Sequence, residues 1–223
     1  MTARTIEILT DSFTKILIPG LTVTLPLTAI SFIIGLLIAL LTALVQIAKV
    51  PVLRQIARLY VWIIRGTPLL VQLFVVYFGL PSVGILVDAF PAAVIVFSIN
   101  TGAYASETIR AAIESVPPNQ LEAGYCVGMT WGQTMIRIIL PQAFRTAFPP
   151  LSNTLIGLVK DTSLASNITI VEMMMRTRQI ASRTYAHLAL YCEVAVIYLL
   201  FCTVLTWVQH RVEKYLNRNG GTL

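Results

Sequence analysis

The sequence predicts an all-α, polytopic membrane protein with five transmembrane helices. Three observations lead there. Of the 223 residues, 57% are hydrophobic and 12% charged, about half the charged share of a soluble domain, and the mean hydropathy is +0.80. Several uncharged runs reach the ~18 or more residues that a spanning helix needs. Lys and Arg collect between and after those runs, for a net charge of +6. These cations are scattered, with no basic helix face or stacking cluster, which argues against a nucleic-acid partner.

The chain starts "MTARTIEILTDSFTK", with acidic residues and no small-residue cleavage site before a short apolar core. No cleaved signal peptide is expected, so the first span acts as the membrane signal itself. Residues 16–48 carry no charge. Pro19 and Pro26 are expected to break off a short lead-in, leaving a first span at about 25–47. The basic connector Lys49, Arg54 and Arg58 follows. The second span, about 60–80, is interrupted early by "RGTP". Its link to the third, "PSVGILVDAF", holds Asp88 and no Lys or Arg. The third span, about 91–113, carries the polar string "NTGAYASETIR". After a semi-polar insert comes a fourth span at about 143–158, weakened by Arg145 and Pro149-Pro150. A polar segment leads to the fifth span, about 188–209, and to the tail "HRVEKYLNRNGG". The whole of 1–223 reads as a single domain without internal repeats.

The connector after the first span and the tail are basic, whereas the link between the second and third spans is not. The positive-inside rule therefore predicts the N-terminus outside and the C-terminus inside. Lys160, Arg176, Arg178 and Arg183 run against that count. A re-entrant fourth segment is the rival arrangement, because it would keep them cytoplasmic.

The insert, "NQLEAGYCVGMTWGQTMIRIILPQAF" at residues 119–144, then falls in the cytoplasm. "SVPP" ends the third helix. Asn119 with Glu122 predicts one capping box, and Thr130 with Gln133 a second. Gly128 predicts a helix end in the left-handed conformation. Pro141 predicts a break after Leu140. Gly124, Gly128 and Gly132 recur at every fourth residue, and a close backbone contact would explain their helix-weakening presence. By periodicity alone, the first short helix fits either a partner's groove or the lipid surface.

"EAGYCVGMTWGQTMIRIILPQAF" closely resembles the signature of permease subunits of ABC importers, in Glu122, Ala123, Gly128, Leu140 and Pro141. Gly124 departs mildly from the alanine usual there. "RGTPLLVQLF", "NTGAYASETIRAAI" and "VKDTSL" resemble further blocks of the polar amino-acid branch, and the likeness runs from about residue 20 to 216. Two of the blocks look most like cystine-type transporters. The resemblance implies a type I ABC importer permease fold in a bacterial inner membrane. It implies a second permease subunit, identical or homologous, two ATP-hydrolysing subunits and an extracytoplasmic binding protein. It makes residues 119–131 a coupling helix for the ATPase, with Glu122, Ala123, Gly124 and Gly128 as its contacts. ATP and Mg would be bound by the partner ATPase, and no cofactor by this chain.

The chain's own residues fit a non-catalytic partner. It has no P-loop motif, no G-x-S-x-G elbow, and its two histidines, His187 and His210, are far apart. Cys126, Cys192 and Cys202 have no metal spacing and read as small hydrophobes. Polar groups within a span are costly and therefore candidate functional residues. Asn100, Tyr104, Glu107 and Ala111 share one helix face. Glu107 would meet a ligand ammonium, while Asn100 and Tyr104 would hydrogen-bond either end; Gln72 is a further candidate. Arg110 is placed to pair with Glu107 or to sit at the cytoplasmic edge. Hydrogen bonding between helices is the competing reading of the same face. Lys160, Asp161 and Ser163 read as a gate or latch, Arg65 and Thr67 as packing and anchoring with a gating role, Glu193 as interfacial, and "MMM" at 173–175 as a packed interfacial helix. A secondary transporter or channel subunit working without an ATPase, and a scaffold without transport, are the alternatives from other classes.

Overall fold

A computed structural model describes residues 3–48 and 50–218. Lys49 of the basic connector and residues 219–223 of the tail lie outside them. Among the described residues every regular element is helical. The α-helices are α1 (Ala3–Pro19), α2 (Leu25–Ile47), α3 (Pro51–Gly66), α4 (Leu69–Phe74), α5 (Ala89–Glu114), α6 (Pro118–Cys126), α7 (Trp131–Thr134), α8 (Leu140–Asp161), α9 (Met173–Thr184) and α10 (His187–Arg218). Three helical stretches among the described residues are long and apolar enough to cross a membrane: Ala3–Ile47, Ala89–Glu114 and His187–Leu216. The broken pair Pro51–Gly66 and Leu69–Val83 would make a fourth. With its arginine and prolines, α8 falls short of that standard.

Prolines shape these helices differently from expectation. Among the described residues three π turns occur, Gly20–Thr24, Val75–Gly79 and Met135–Ile139. Each is followed directly by Leu-Pro: Leu25-Pro26, Leu80-Pro81 and Leu140-Pro141. A helical proline lacks a donor, and its ring collides with the carbonyl four residues back. A turn widened to i→i−5 bonding moves that carbonyl aside. Leu25 N–H donates to the Gly20 carbonyl and Leu140 N–H to that of Met135. So Pro19 and Pro26 do not break off the lead-in: α1, the π turn and α2 form one 45-residue helix. Likewise Pro141 causes no break, and helix continues from Trp131 through Asp161.

The second expected span is the opposite case. It is not one helix over 60–80 but two, bent by 103° between Gly66 and Leu69. Pro68 pushes its neighbour out of the helical region, and its own ψ of 136° is extended. Gln72 Nε2 donates to the Thr67 hydroxyl at 2.9 Å and to the Thr67 carbonyl at 3.2 Å, replacing helical bonds lost at the break.

The chain divides into two compact units. One comprises Met1–Ile34, Thr67–Ser98 and Leu155–Thr206. Its largest apolar cluster includes Leu27, Leu73, Phe97, Leu158 and Ile168, all buried. A second cluster joins Ile16, Met173, Leu190 and Ile197. The other unit comprises Gly35–Gly66, Ile99–Thr154 and Trp207–Leu223. Its core sets Ala112 and Ile113 of α5, with Val116 just beyond it, against Met135, Ile139, Ala143 and Ala147. A Cβ at Gly102 would stand 2.6 Å from Ile38 Cγ2 and 2.9 Å from the Tyr60 hydroxyl, so the α5 backbone packs directly against the Ile38 side chain of α2 and the Tyr60 hydroxyl of α3. Tyr60 fixes that contact by donating to the Ile99 carbonyl at 2.6 Å.

Candidate functional site

In the second unit, one face of α5 gathers charged and polar groups. Glu107 is half-buried and accepts from Arg110 Nη2 at 2.8 Å, the i, i+3 pair anticipated from spacing. Arg110 Nη1 also donates to Glu114 at 2.7 Å. Gln46 of α2, otherwise buried, donates to the remaining Glu107 oxygen at 3.2 Å. One turn away, Tyr104 is 45% exposed, and the Arg65 guanidinium lies over its ring, 5.2 Å from the centroid. Asn100 is half-buried one turn further. The arrangement offers the Glu107 carboxylate, the open face of the Arg65 guanidinium on α3 and the Tyr104 hydroxyl, with Arg110 and Glu114 completing the charge cluster. Such a set suits a zwitterion, with the carboxylate toward an ammonium and the guanidinium toward a carboxyl group.

Two members of this set were missed in the sequence. Arg65 reads there as packing and anchoring with a gating role, and Gln46 draws no assignment within the uncharged run 16–48. The available signal was position: both are polar side chains within or at the end of a span. Gln72 belongs to the other unit, where it serves the helix break.

The insert is built beside this site in sequence and in the same unit. α6 begins at Pro118, with Pro117 as its N-cap and no side-chain cap. The expected Asn119–Glu122 capping box is therefore absent. Proline at N1 is already set for a helix, so the helix starts two residues early and Asn119 lies inside it. Gly128 does take the left-handed conformation, at φ +79°. The Thr130–Gln133 box forms in full, with Thr130 N–H to Gln133 Oε1 at 2.9 Å and Gln133 N–H to Thr130 Oγ1 at 3.3 Å. Of the three spaced glycines, only Gly124 makes a close contact: a Cβ there would stand 2.5 Å from Thr134 Cγ2. Around Gly128 and Gly132 the space is open. Glu122, Ala123 and Gly128 are exposed, as are Tyr125, Val127 and Trp131, while Gly124 is buried. A polar segment that keeps three large apolar side chains exposed is suited to a protein partner.

At the end of α8, Lys160 and Asp161 are exposed and Ser163 is half-buried. No ion pair joins Lys160 to Asp161 among the described residues. A different carboxylate proves central there. Glu172, fully buried, caps α9 by accepting from the amides of Met174 and Met175, both at 2.8 Å, and from the Tyr198 hydroxyl at 3.0 Å. Met173 is buried beneath it, in keeping with a packed "MMM" helix. Glu193 accepts from Ser12 at 2.5 Å, tying α10 to α1.

A helical membrane component with a short-helix insert poised for a partner is the class that this fold and site define. The profile of the binding-protein-dependent transport system inner membrane component family matches residues 31–218. The chain belongs to that family. It is 51% identical over 213 residues, 95% of this chain and 91% of the relative, to the L-cystine transport system permease protein TcyB of Bacillus subtilis (strain 168). It is 37% identical to the arginine transport system permease protein ArtQ of the same organism, over 91% of this chain and 93% of that one. Among solved structures, it matches a crystal structure of an amino acid ABC transporter with histidines at a TM-score of 0.88 and 34% identity, covering 96% of this chain and 100% of that one. An inward-facing MetNI methionine ABC transporter matches at 0.72 and 18% identity, a likeness of fold.

Proposed function

We propose that this chain is the permease subunit of an ATP-driven importer for a polar amino acid, with cystine the leading candidate. The observation that carries the reading is the paired chemistry on α5 and α3. Glu107 and Arg65 flank Tyr104 on one face, and an amino acid presents the matching ammonium and carboxylate. The 51% identity to an L-cystine permease supports the substrate class.

In this reading the chain spans the bacterial inner membrane five times, with α8 as the fourth span, the N-terminus outside and the C-terminus in the cytoplasm. Asn100, Tyr104 and Glu107 line the path, joined by Arg65. Lys160, Asp161 and Ser163 act as a gate or latch. An extracytoplasmic binding protein delivers the amino acid, and a second permease subunit completes the pathway. Two ATPase subunits bind ATP and Mg and dock on Glu122, Ala123, Gly124 and Gly128. This chain catalyses nothing; its work is a switch between inward- and outward-open states. The physical link is short. α6 rests on Thr134 through Gly124, and the helix beginning at α7 packs on Ala112, Ile113 and Val116, within three turns of Glu107.

The test is reconstitution with the ATPase and binding protein, scoring ATP hydrolysis against a panel of amino acids. Stimulation by cystine or another polar amino acid is expected. Uptake or conductance by this chain alone would instead assign it to transporters that need no ATPase.

A further inference from the structure

In the first unit, α1 and α9 enclose a cavity of about 550 Å³. Lys15, Arg176 and Arg183 line it together with one carboxylate, Asp11. Asp11 is already taken by Lys15 at 2.6 Å. Arg176 has only a neutral acceptor, Gln179 Oε1 at 3.0 Å. Arg183 is exposed and makes no hydrogen bond or ion pair among the described residues. Two guanidinium groups seven residues apart, hence on one helix face, thus converge without an anion. Ile18, Pro19 and Ile180 give the cavity an apolar side.

The depth of this cavity narrows the occupant. The helix Ala3–Ile47 has 45 residues and is about 67 Å long, over twice the ~30 Å hydrocarbon core. Its charges end at Lys15. The cavity therefore lies where the helix passes from charged to uncharged sequence, the level at which phosphate groups meet acyl chains. Guanidinium forks match phosphate oxygens in bidentate geometry. A zwitterionic headgroup would bring its own cation toward three others; an anionic one would not. We propose that this cavity binds the headgroup phosphate of an anionic phospholipid. Such pairing also accounts for Arg176 and Arg183 in a segment where the charge count of the connectors disfavours cations.

The experiment uses the full-length chain in its native assembly, in nanodiscs of equimolar phosphatidylglycerol and phosphatidylcholine, with retained lipids counted by native mass spectrometry. The wild type should retain phosphatidylglycerol preferentially. Arg183→Gln should lower that retention roughly fivefold, and Arg176→Gln with Arg183→Gln roughly fivefold more. Melting in pure phosphatidylcholine nanodiscs checks that each variant folds. Should the double variant unfold, Arg183→Gln, at an exposed side chain, carries the test. Equal retention of the two lipids by the wild type overturns the proposal. So does unchanged phosphatidylglycerol retention in a folded variant, and if binding-protein-stimulated transport is lost in that variant, the arginines belong to a protein-docking surface instead.

Discussion

Glu107 answers to Arg110 and Gln46 at once, and Arg110 keeps a second partner in Glu114. Glu107→Gln should therefore leave α5 and the assembly intact. It should raise the amino-acid concentration that half-saturates stimulated ATP hydrolysis by roughly ten- to hundredfold, the range for losing a charged hydrogen bond. Asn100→Ala should act in the same direction, and Arg65→Lys should weaken binding because it loses both the fork and the Tyr104 stacking. If Glu107→Gln and Asn100→Ala leave stimulation unchanged, the site is elsewhere. Glu172 gives a prediction about stability. Burial pushes its carboxyl above the ordinary 4.5, outweighing the amides of Met174 and Met175 and the Tyr198 hydroxyl. A carboxyl raised on folding contributes fully below its unfolded value and loses that contribution as pH rises through its folded value. The melting temperature of the wild type minus that of Glu172→Gln should therefore fall as pH rises from 4.5. A flat difference would show that the cap titrates normally.

The short elements of the insert allow a sharper comparison. Gly124→Ala drives a methyl into Thr134 and should destabilise the fold by about 1–3 kcal/mol. Adding Thr134→Ala should recover much of that loss in a melting experiment, whereas Gly132→Ala, in open space, should cost little. Glu122→Arg, at an exposed position on α6, should abolish ATPase assembly and transport; full activity would remove α6 from the coupling role. These elements also show what sequence can carry. Gly128 and the Thr130–Gln133 box were legible because their causes are local: a positive φ and a side chain three residues from its partner. Asn119 misled because Pro118, one residue earlier, sets the helix start by itself. Hydropathy located α2 and α5 closely, since the apolar run and the helix coincide there, and it found the start of α10, which runs on through the charged tail to Arg218. It missed the 103° bend, because a hydropathy window has no direction. Pro26 and Pro141 look like breaks in the sequence, because nothing local announces the widened turn that precedes each Leu-Pro of this chain. Arg65 on Tyr104 was beyond reach, since thirty-nine residues of sequence separate two side chains that only α3 and α5 together bring into contact.

At the scale of the molecule, the proposed orientation can be read from one thiol. Cys126 is exposed at the end of α6. With Cys192→Ser and Cys202→Ser in the background, a membrane-impermeant maleimide should label Cys126 in inside-out vesicles and not in intact cells. ATPase subunits added beforehand should protect it. Labelling from outside would invert the topology and remove the coupling role together. The π turn at Met135–Ile139 sets one further relation. An α-helix advances about 100° per residue, and a π turn stores one extra residue without ending the helix. That turn therefore works as a phase shifter: it fixes the angle about the axis of α8 at which the segment proposed for ATPase coupling is presented. Were the same five residues to wind as ordinary α-helix, as Pro141→Ala would permit, the segment would turn by roughly 100°, so a subunit that still folds would aim its proposed ATPase contact in the wrong direction.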